Sequence, residues 1–140
     1  MKLSFLISFV AILLPSVVTA AELTIIINQL RSNAGIVHIA LYNAPEKFPD
    51  SDGMISEINV PAEKPSIQWT FKNLKSGQYA IATYHDENGN DEFDQGFLGI
   101  PLEGYAFSNN ATVFFGPPDF TEAAFTVSEI NNQQTIIMDY

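Results

Sequence analysis

The sequence predicts an all-β fold, a single antiparallel β-sandwich of immunoglobulin-like architecture, with six to seven strands and one long ordered loop. Three observations carry this. Apolar and polar residues alternate with a period of two in several short runs. Clusters of Gly, Asn, Ser and Lys punctuate those runs. No window sustains a helical period over the length a helix needs.

The chain opens on an address. Met1-Lys2 supplies a positive charge, Leu3 to Leu14 is an almost unbroken apolar run, and Val18-Thr19-Ala20 provides small residues for cleavage. This is the pattern of a secretory signal peptide over residues 1–20, with cleavage between Ala20 and Ala21. The run is too short for a comfortable membrane span. No Cys follows it to take a lipid, and no later segment has the length to span. The expectation is a periplasmic or secreted protein with no membrane span after cleavage, and a β-sandwich domain over residues 21–140.

The strands follow in order. Leu23, Ile25 and Ile27 alternate with Thr24 and Ile26, and Arg31-Ser32-Asn33-Ala34-Gly35 then supplies turn residues. Ile36 to Tyr42 follows as a second strand, so the two are expected to pair as a hairpin. Ile55 to Val60 reads as a further short strand. Ile67, Trp69 and Phe71 alternate with Ser66, Gln68 and Thr70, which places Trp69 in the core. Gln78 to His85 follows the turn at Lys75-Ser76-Gly77. Ala123, Phe125 and Val127 alternate with Glu122, Ala124 and Thr126, and Thr135 to Met138 closes the chain.

Two connections are long. Asn43 to Ser56 carries Pro45, Pro49, Asp50, Asp52 and Gly53 and reads as a surface loop. Asp86 to about Thr121 exceeds the usual length, and such loops are functional or disordered. Six Phe fall here: Phe93, Phe97, Phe107, Phe114, Phe115 and Phe120. Disordered segments are poor in aromatics. The loop is therefore expected to fold, with its rings packed over an end or edge of the sandwich.

Composition excludes several functions. The chain has no Cys, which removes disulfides, thiolate catalysis and thiolate zinc sites. Its net charge is −10, and removal of Lys2 with the leader takes it to −11. Such a chain is repelled by nucleic acid and anionic membranes and suits divalent cations or basic partners. A partner at the cell envelope, protein or carbohydrate, is the expectation.

The run most suggestive of chemistry is His85-Asp86-Glu87-Asn88-Gly89-Asn90-Asp91-Glu92-Phe93-Asp94. Asp86, Asn88, Asn90, Glu92 and Asp94 place oxygens at alternate positions, the spacing with which a short loop wraps calcium. Counted as an EF-hand, Asp86, Asn88 and Asn90 fill the first, third and fifth positions. Asp91 then replaces the sixth-position Gly, and Phe97 replaces the bidentate Glu. The run is therefore no EF-hand. It is a shorter calcium loop completed by a distant carboxylate (Glu103, Asp119 or Glu122), or plain turn chemistry around Asn88-Gly89. Magnesium fits less well. Zinc is set aside, because the two histidines, His38 and His85, lie on different strands.

No nucleophile elbow, phosphate-cradling loop or dinucleotide fingerprint is present. No catalytic residue and no organic cofactor is expected, and the role is structural or binding rather than enzymatic. Two alternatives stand beside it. One is a sugar- or peptide-binding module using Tyr84, Tyr105 and the loop aromatics. The other is a small hydrolase using His85 and nearby carboxylates.

Two stretches carry a resemblance. Phe71 to Ile81 contains Leu74, Gly77 and Tyr79 in the L-x-x-G-x-Y spacing, and resembles the strand entry of transthyretin-like and carboxypeptidase-regulatory-like sandwiches. More of the chain is covered by His85 to Asp94, then Phe97-Leu98-Gly99-Ile100-Pro101-Leu102-Glu103-Gly104-Tyr105-Ala106-Phe107-Ser108-Asn109-Asn110, then Phe115-Gly116-Pro117-Pro118. These segments are similar to an exported bacterial family catalogued as a domain of unknown function, which often carries Gly where this chain has Asp91. The resemblance implies a secreted β-sandwich and brings no catalytic residues with it.

Overall fold

A computed structural model describes residues 20–140, so the leader expected over residues 1–20 lies, Ala20 apart, outside the described residues. The strands are β1 (Ala21–Asn28), β2 (Ile36–Tyr42), β3 (Ser56–Pro61), β4 (Ser66–Leu74), β5 (Gly77–Asp86), β6 (Gly104–Phe107), β7 (Phe125–Val127) and β8 (Asn132–Ile137). A one-turn helix, α1 (Phe120–Ala123), precedes β7. One sheet has the order β4-β1-β8. The other has β3-β2-β5-β6, with β7 also paired to β5. This is the all-β sandwich the sequence predicts. Among the described residues no helix is long and apolar enough to cross a membrane.

Alternation dictates which faces meet. Leu23, Ile25 and Ile27 from β1 are fully buried against Val37, Ile39 and Leu41 from β2 and Ile81 from β5. Each such side chain contributes about 1.5–3 kcal/mol by leaving water. A one-residue slip would turn all of them outward, and so the register is strongly specified. Tyr79 of the L-x-x-G-x-Y stretch joins this core, and its hydroxyl donates to the Lys75 carbonyl (2.8 Å), tying the β4–β5 turn down.

Three expectations are corrected. β1 and β2 are not a hairpin. They lie in different sheets, because each is a central strand that already has two neighbours, β4 and β8 for one and β3 and β5 for the other. β1 and β8 pair in parallel, the one exception to antiparallel pairing among the described residues. Trp69 does share the face of Ile67 and Phe71, but β4 is an edge strand, and Trp69 is 40% exposed.

The outer face of the larger sheet is covered too. Ala40, Tyr42 and Ala80 form a second, smaller core with Phe120 and Ala123. Phe48, from the Asn43–Ser56 connection, packs edge-on against Tyr42, Phe107 and Phe120. This explains why Ile36 to Tyr42 is apolar on both faces, His38 apart: β2 is buried on both. The long connection thus lies over a sheet face rather than over an end or edge. Its rings divide. Phe93 and Phe107 are half-buried and Phe120 is buried, whereas Phe97, Phe114 and Phe115 project into solvent.

Candidate functional site

The last residue of β5 is Asp86, and its carboxylate is fully buried. One oxygen accepts the N–H of Gly89 (2.7 Å) and of Asn90 (3.2 Å). The other accepts the N–H of Asp91 (2.8 Å). Burial works to raise its pKa, but the three N–H donors and nearby His38 outweigh it and hold the carboxyl below its usual value. Gly89 and Asp91 take positive φ, which lets the chain fold back over Asp86. Gly35 closes the same corner from the β1–β2 connection. It has φ +70°, and a Cβ there would stand 1.8 Å from the Asp86 carbonyl oxygen, so no other residue fits.

The other loop oxygens converge on one another. The side-chain amides of Asn88 and Asn90 both donate to the Asp94 carboxylate. The Asn88 and Asn90 side-chain oxygens accept the N–H of Asn90 and of Glu92 (3.0 Å each). Glu103 is buried and bridges the two ends of the loop, accepting from Glu87 N–H (3.1 Å) and Asp94 N–H (3.2 Å). Of the remote carboxylates named from sequence, Glu103 is therefore the one brought to the loop. Glu122 instead accepts the Asp119 N–H at the start of α1.

His85 faces the other way. Its Nε2 donates to the Ala34 carbonyl (2.7 Å), so in the neutral ring Nδ1 accepts from the Tyr140 hydroxyl (2.7 Å). Arg31 stacks on the Tyr140 ring at 4.3 Å and pairs with Glu87, whose carboxyl that guanidinium holds below its usual range. Both His85 nitrogens are thus engaged in fixing the β1–β2 connection, and the ring has no exposed surface.

A cavity of about 380 Å³ opens on the outer face of the larger sheet, within the range of small-molecule sites. Its floor is a hollow created by small side chains: Ala40 and Ala82 lie directly opposite each other on β2 and β5. Larger residues rim the hollow, with Tyr84, Tyr105 and Phe107 from β5 and β6, and Phe93 and Pro101 from the long loop. Tyr84 and Tyr105 are cross-strand partners, and the Phe93 ring stands 5.6 Å and 6.1 Å from them. Burial first, and then Asp86, Glu57 and their neighbours, push the Tyr84 hydroxyl up to about 12.

At one end of the cavity lies His38, 4% exposed and stacked flat on Tyr84 at 4.4 Å. Neither ring nitrogen has a hydrogen-bond partner. Glu57 lies 3.5 Å from Nδ1, and Asp86 and Asp91 lie 3.7 and 3.8 Å from Nε2. Buried polar atoms are nearly always satisfied, so an exception in a cavity wall points to function.

A family model describing an uncharacterized protein conserved in bacteria, DUF2141, matches residues 25–135. The chain belongs to the DUF2141 family. That match spans both sheets, the loop and the cavity. No curated protein and no solved structure matches the chain.

In this DUF2141 chain, Asp86, Asn88, Asn90 and Asp94 lie in one hydrogen-bonded loop. Glu92 is exposed and makes no side-chain hydrogen bond there. Tyr84 and Tyr105, the two tyrosines singled out from sequence, both line the cavity. Sequence reasoning missed His38, Glu57 and Asp91 as a group. The available signal was a single His standing at an outward position between the apolar neighbours Val37 and Ile39.

Proposed function

We propose that this protein is an exported, non-enzymatic binding module whose ligand sits in the cavity on the outer face of the larger sheet. The observation that carries this reading is the Ala40–Ala82 hollow, walled by Tyr84, Phe93, Tyr105 and Phe107, with an unpartnered His38 at its end. Aromatic walls with a few placed polar groups are the usual make-up of a small-ligand site. The lining is mainly apolar, with Glu57, Thr83 and Gln95 among its polar members. The ligand class it suits is a compact molecule with an apolar or aromatic face and a hydrogen-bond-donating or cationic group directed at Glu57. The acidic chain adds long-range attraction for such a cation. A peptide side chain or the C–H face of a sugar meets the first requirement, and a basic or aromatic amine meets both. In this reading the Asp86–Asp94 loop is ordered by its own hydrogen bonds and serves to hold Phe93 and Asp91 at the rim.

A fragment screen by two-dimensional NMR tests it. Fragments carrying an aromatic ring and an amine are expected to shift the resonances of Ala40, Ala82, Tyr84 and Tyr105. Ala82→Leu, which fills the hollow, is expected to abolish those shifts. A screen that moves none of these resonances, or fragments that bind Ala82→Leu as well as the parent, overturns the reading.

A further inference from the structure

We propose that His38, Asp86 and Asp91 form a binding site for one divalent transition-metal ion at the base of the long loop. His38 offers a ring nitrogen and each aspartate an oxygen, and these ligand atoms lie within 4.8 Å of one another. The Nε2 to Asp86 Oδ2 distance is 3.7 Å, and the Nε2 to Asp91 Oδ1 distance is 3.8 Å. Both are too long for hydrogen bonds, so the groups do not serve one another. Ligands held at about 2.0–2.2 Å from a shared ion stand roughly 3–4 Å apart, which is the spacing found.

The burial of His38 provides the second observation. Its ring is enclosed between Tyr84 and the loop, yet both nitrogens lack a partner. Leaving a buried polar atom unsatisfied costs the folded state its full desolvation penalty. An ion at Nε2 removes that cost. Glu57, 3.5 Å from Nδ1, then occupies the place of the carboxylate that orients a metal-bound imidazole and fixes its tautomer. The aspartates have capacity to spare. Asp86 Oδ2 accepts a single N–H, from Asp91, and a carboxylate oxygen has two lone pairs. Asp91 takes φ +60°, so its backbone N–H points at Asp86 while its own carboxylate lies beside His38. The Asp91 side chain is 75% exposed, which opens the site to solvent and leaves positions for water or for a donor atom on an incoming molecule.

One imidazole with two carboxylates selects the metal class. Calcium and magnesium take oxygen ligands, whereas zinc and its first-row neighbours accept nitrogen and oxygen together. The site differs from a calcium loop on Asp86, Asn88, Asn90, Glu92 and Asp94, with which it shares Asp86 alone. It needs only the metal, so it stands whether or not the cavity takes an organic ligand.

Zinc chloride is the probe. The untagged protein, expressed from the full sequence, is stripped with a chelator and titrated calorimetrically. One equivalent of zinc is expected to bind, with a matching rise in melting temperature. His38→Gln and Asp91→Asn are each expected to weaken binding by at least about tenfold, while Asp94→Asn leaves it unchanged. Asn adopts positive φ readily, so Asp91→Asn keeps the turn intact even if the buried His38→Gln variant fails to fold. No zinc binding by the parent, parental affinity in Asp91→Asn, or a loss in Asp94→Asn equal to that in Asp91→Asn overturns the proposal.

Discussion

Asp86→Ala is the sharpest test of what orders the loop. The substitution removes the acceptor of three N–H groups, at 2.7, 2.8 and 3.2 Å. Asn90 N–H keeps a second acceptor, Asn88 Oδ1 at 3.0 Å, so its loss counts little. The other two are bonds to a charged group, each contributing about 1.5–3 kcal/mol. Their sum is about 3–6 kcal/mol. The turn borders solvent, and water replacing part of the lost bonding brings the expectation to about 3–4 kcal/mol. Domains of this size have roughly 5–15 kcal/mol in total, so the variant sits near the edge of folding. Asp86→Asn keeps one oxygen for Gly89 and sets an amide against Asp91, and so is expected to lose about half as much. The assay is urea unfolding in the presence of chelator, read by circular dichroism, with an unchanged dependence on urea for each variant. A loss below about 1 kcal/mol for Asp86→Ala refutes the reasoning. So does a parent protein that, in chelator, is already as unstable as the variant, because the loop would then owe its order to an ion.

Three further outcomes are expected. Glu103→Ala removes the bridge between Glu87 N–H and Asp94 N–H; it is expected to cost about 2–3 kcal/mol and to speed hydrogen exchange at those two amides before any other loop site. Trp69 is the sole tryptophan and 40% exposed, so acrylamide is expected to quench native fluorescence readily, which a core tryptophan would resist. Tyr42 is buried and donates to the Pro49 carbonyl; burial first, then Glu57 and Asp50, push its hydroxyl up to about 12. Because that folded value lies above the unfolded value of 10.0, Tyr42 contributes its full stability below pH 10 and loses it as the pH rises toward 12. Ultraviolet titration is expected to find two late-ionising tyrosines, Tyr42 and Tyr84, and Tyr42→Phe is expected to remove one of them.

The fold class was legible because period-two alternation is a local signal. Leu23, Ile25 and Ile27, or Phe125 and Val127, announce one buried face each without reference to any partner. Partnership is not local. The Arg31–Gly35 turn suggests a hairpin, yet it crosses between sheets, since nothing in the five residues encodes that Ile36–Tyr42 is claimed on both sides by β3 and β5. The apolar residues on both faces of β2, interrupted only by His38, did carry the information that both its faces are covered. Trp69 was misplaced because alternation gives a face and not a position within the sheet. The loop aromatics divide for a related reason: hydrophobicity counts rings but not where the backbone carries them, so Phe48, Phe93, Phe107 and Phe120 reach the outer face while Phe97, Phe114 and Phe115 project into solvent. His38 was invisible as a site member because register sets it opposite Tyr84, and the loop beyond β5 then brings Asp91 back to it. Only long-range pairing makes that meeting.

The parallel β1–β8 pair also governs when this molecule can become itself. β1 is the middle strand of the smaller sheet, and one of its two neighbours is the last strand of the chain. Asn132 even donates its side-chain amide to the Glu22 carbonyl, 110 residues away. Closing so long a loop must precede any reward from the contacts it allows, which makes folding slow. Until β8 arrives, β1 presents an open edge, and the core lacks Ile136. The smaller sheet is therefore completed only once residues 132–137 have joined β1.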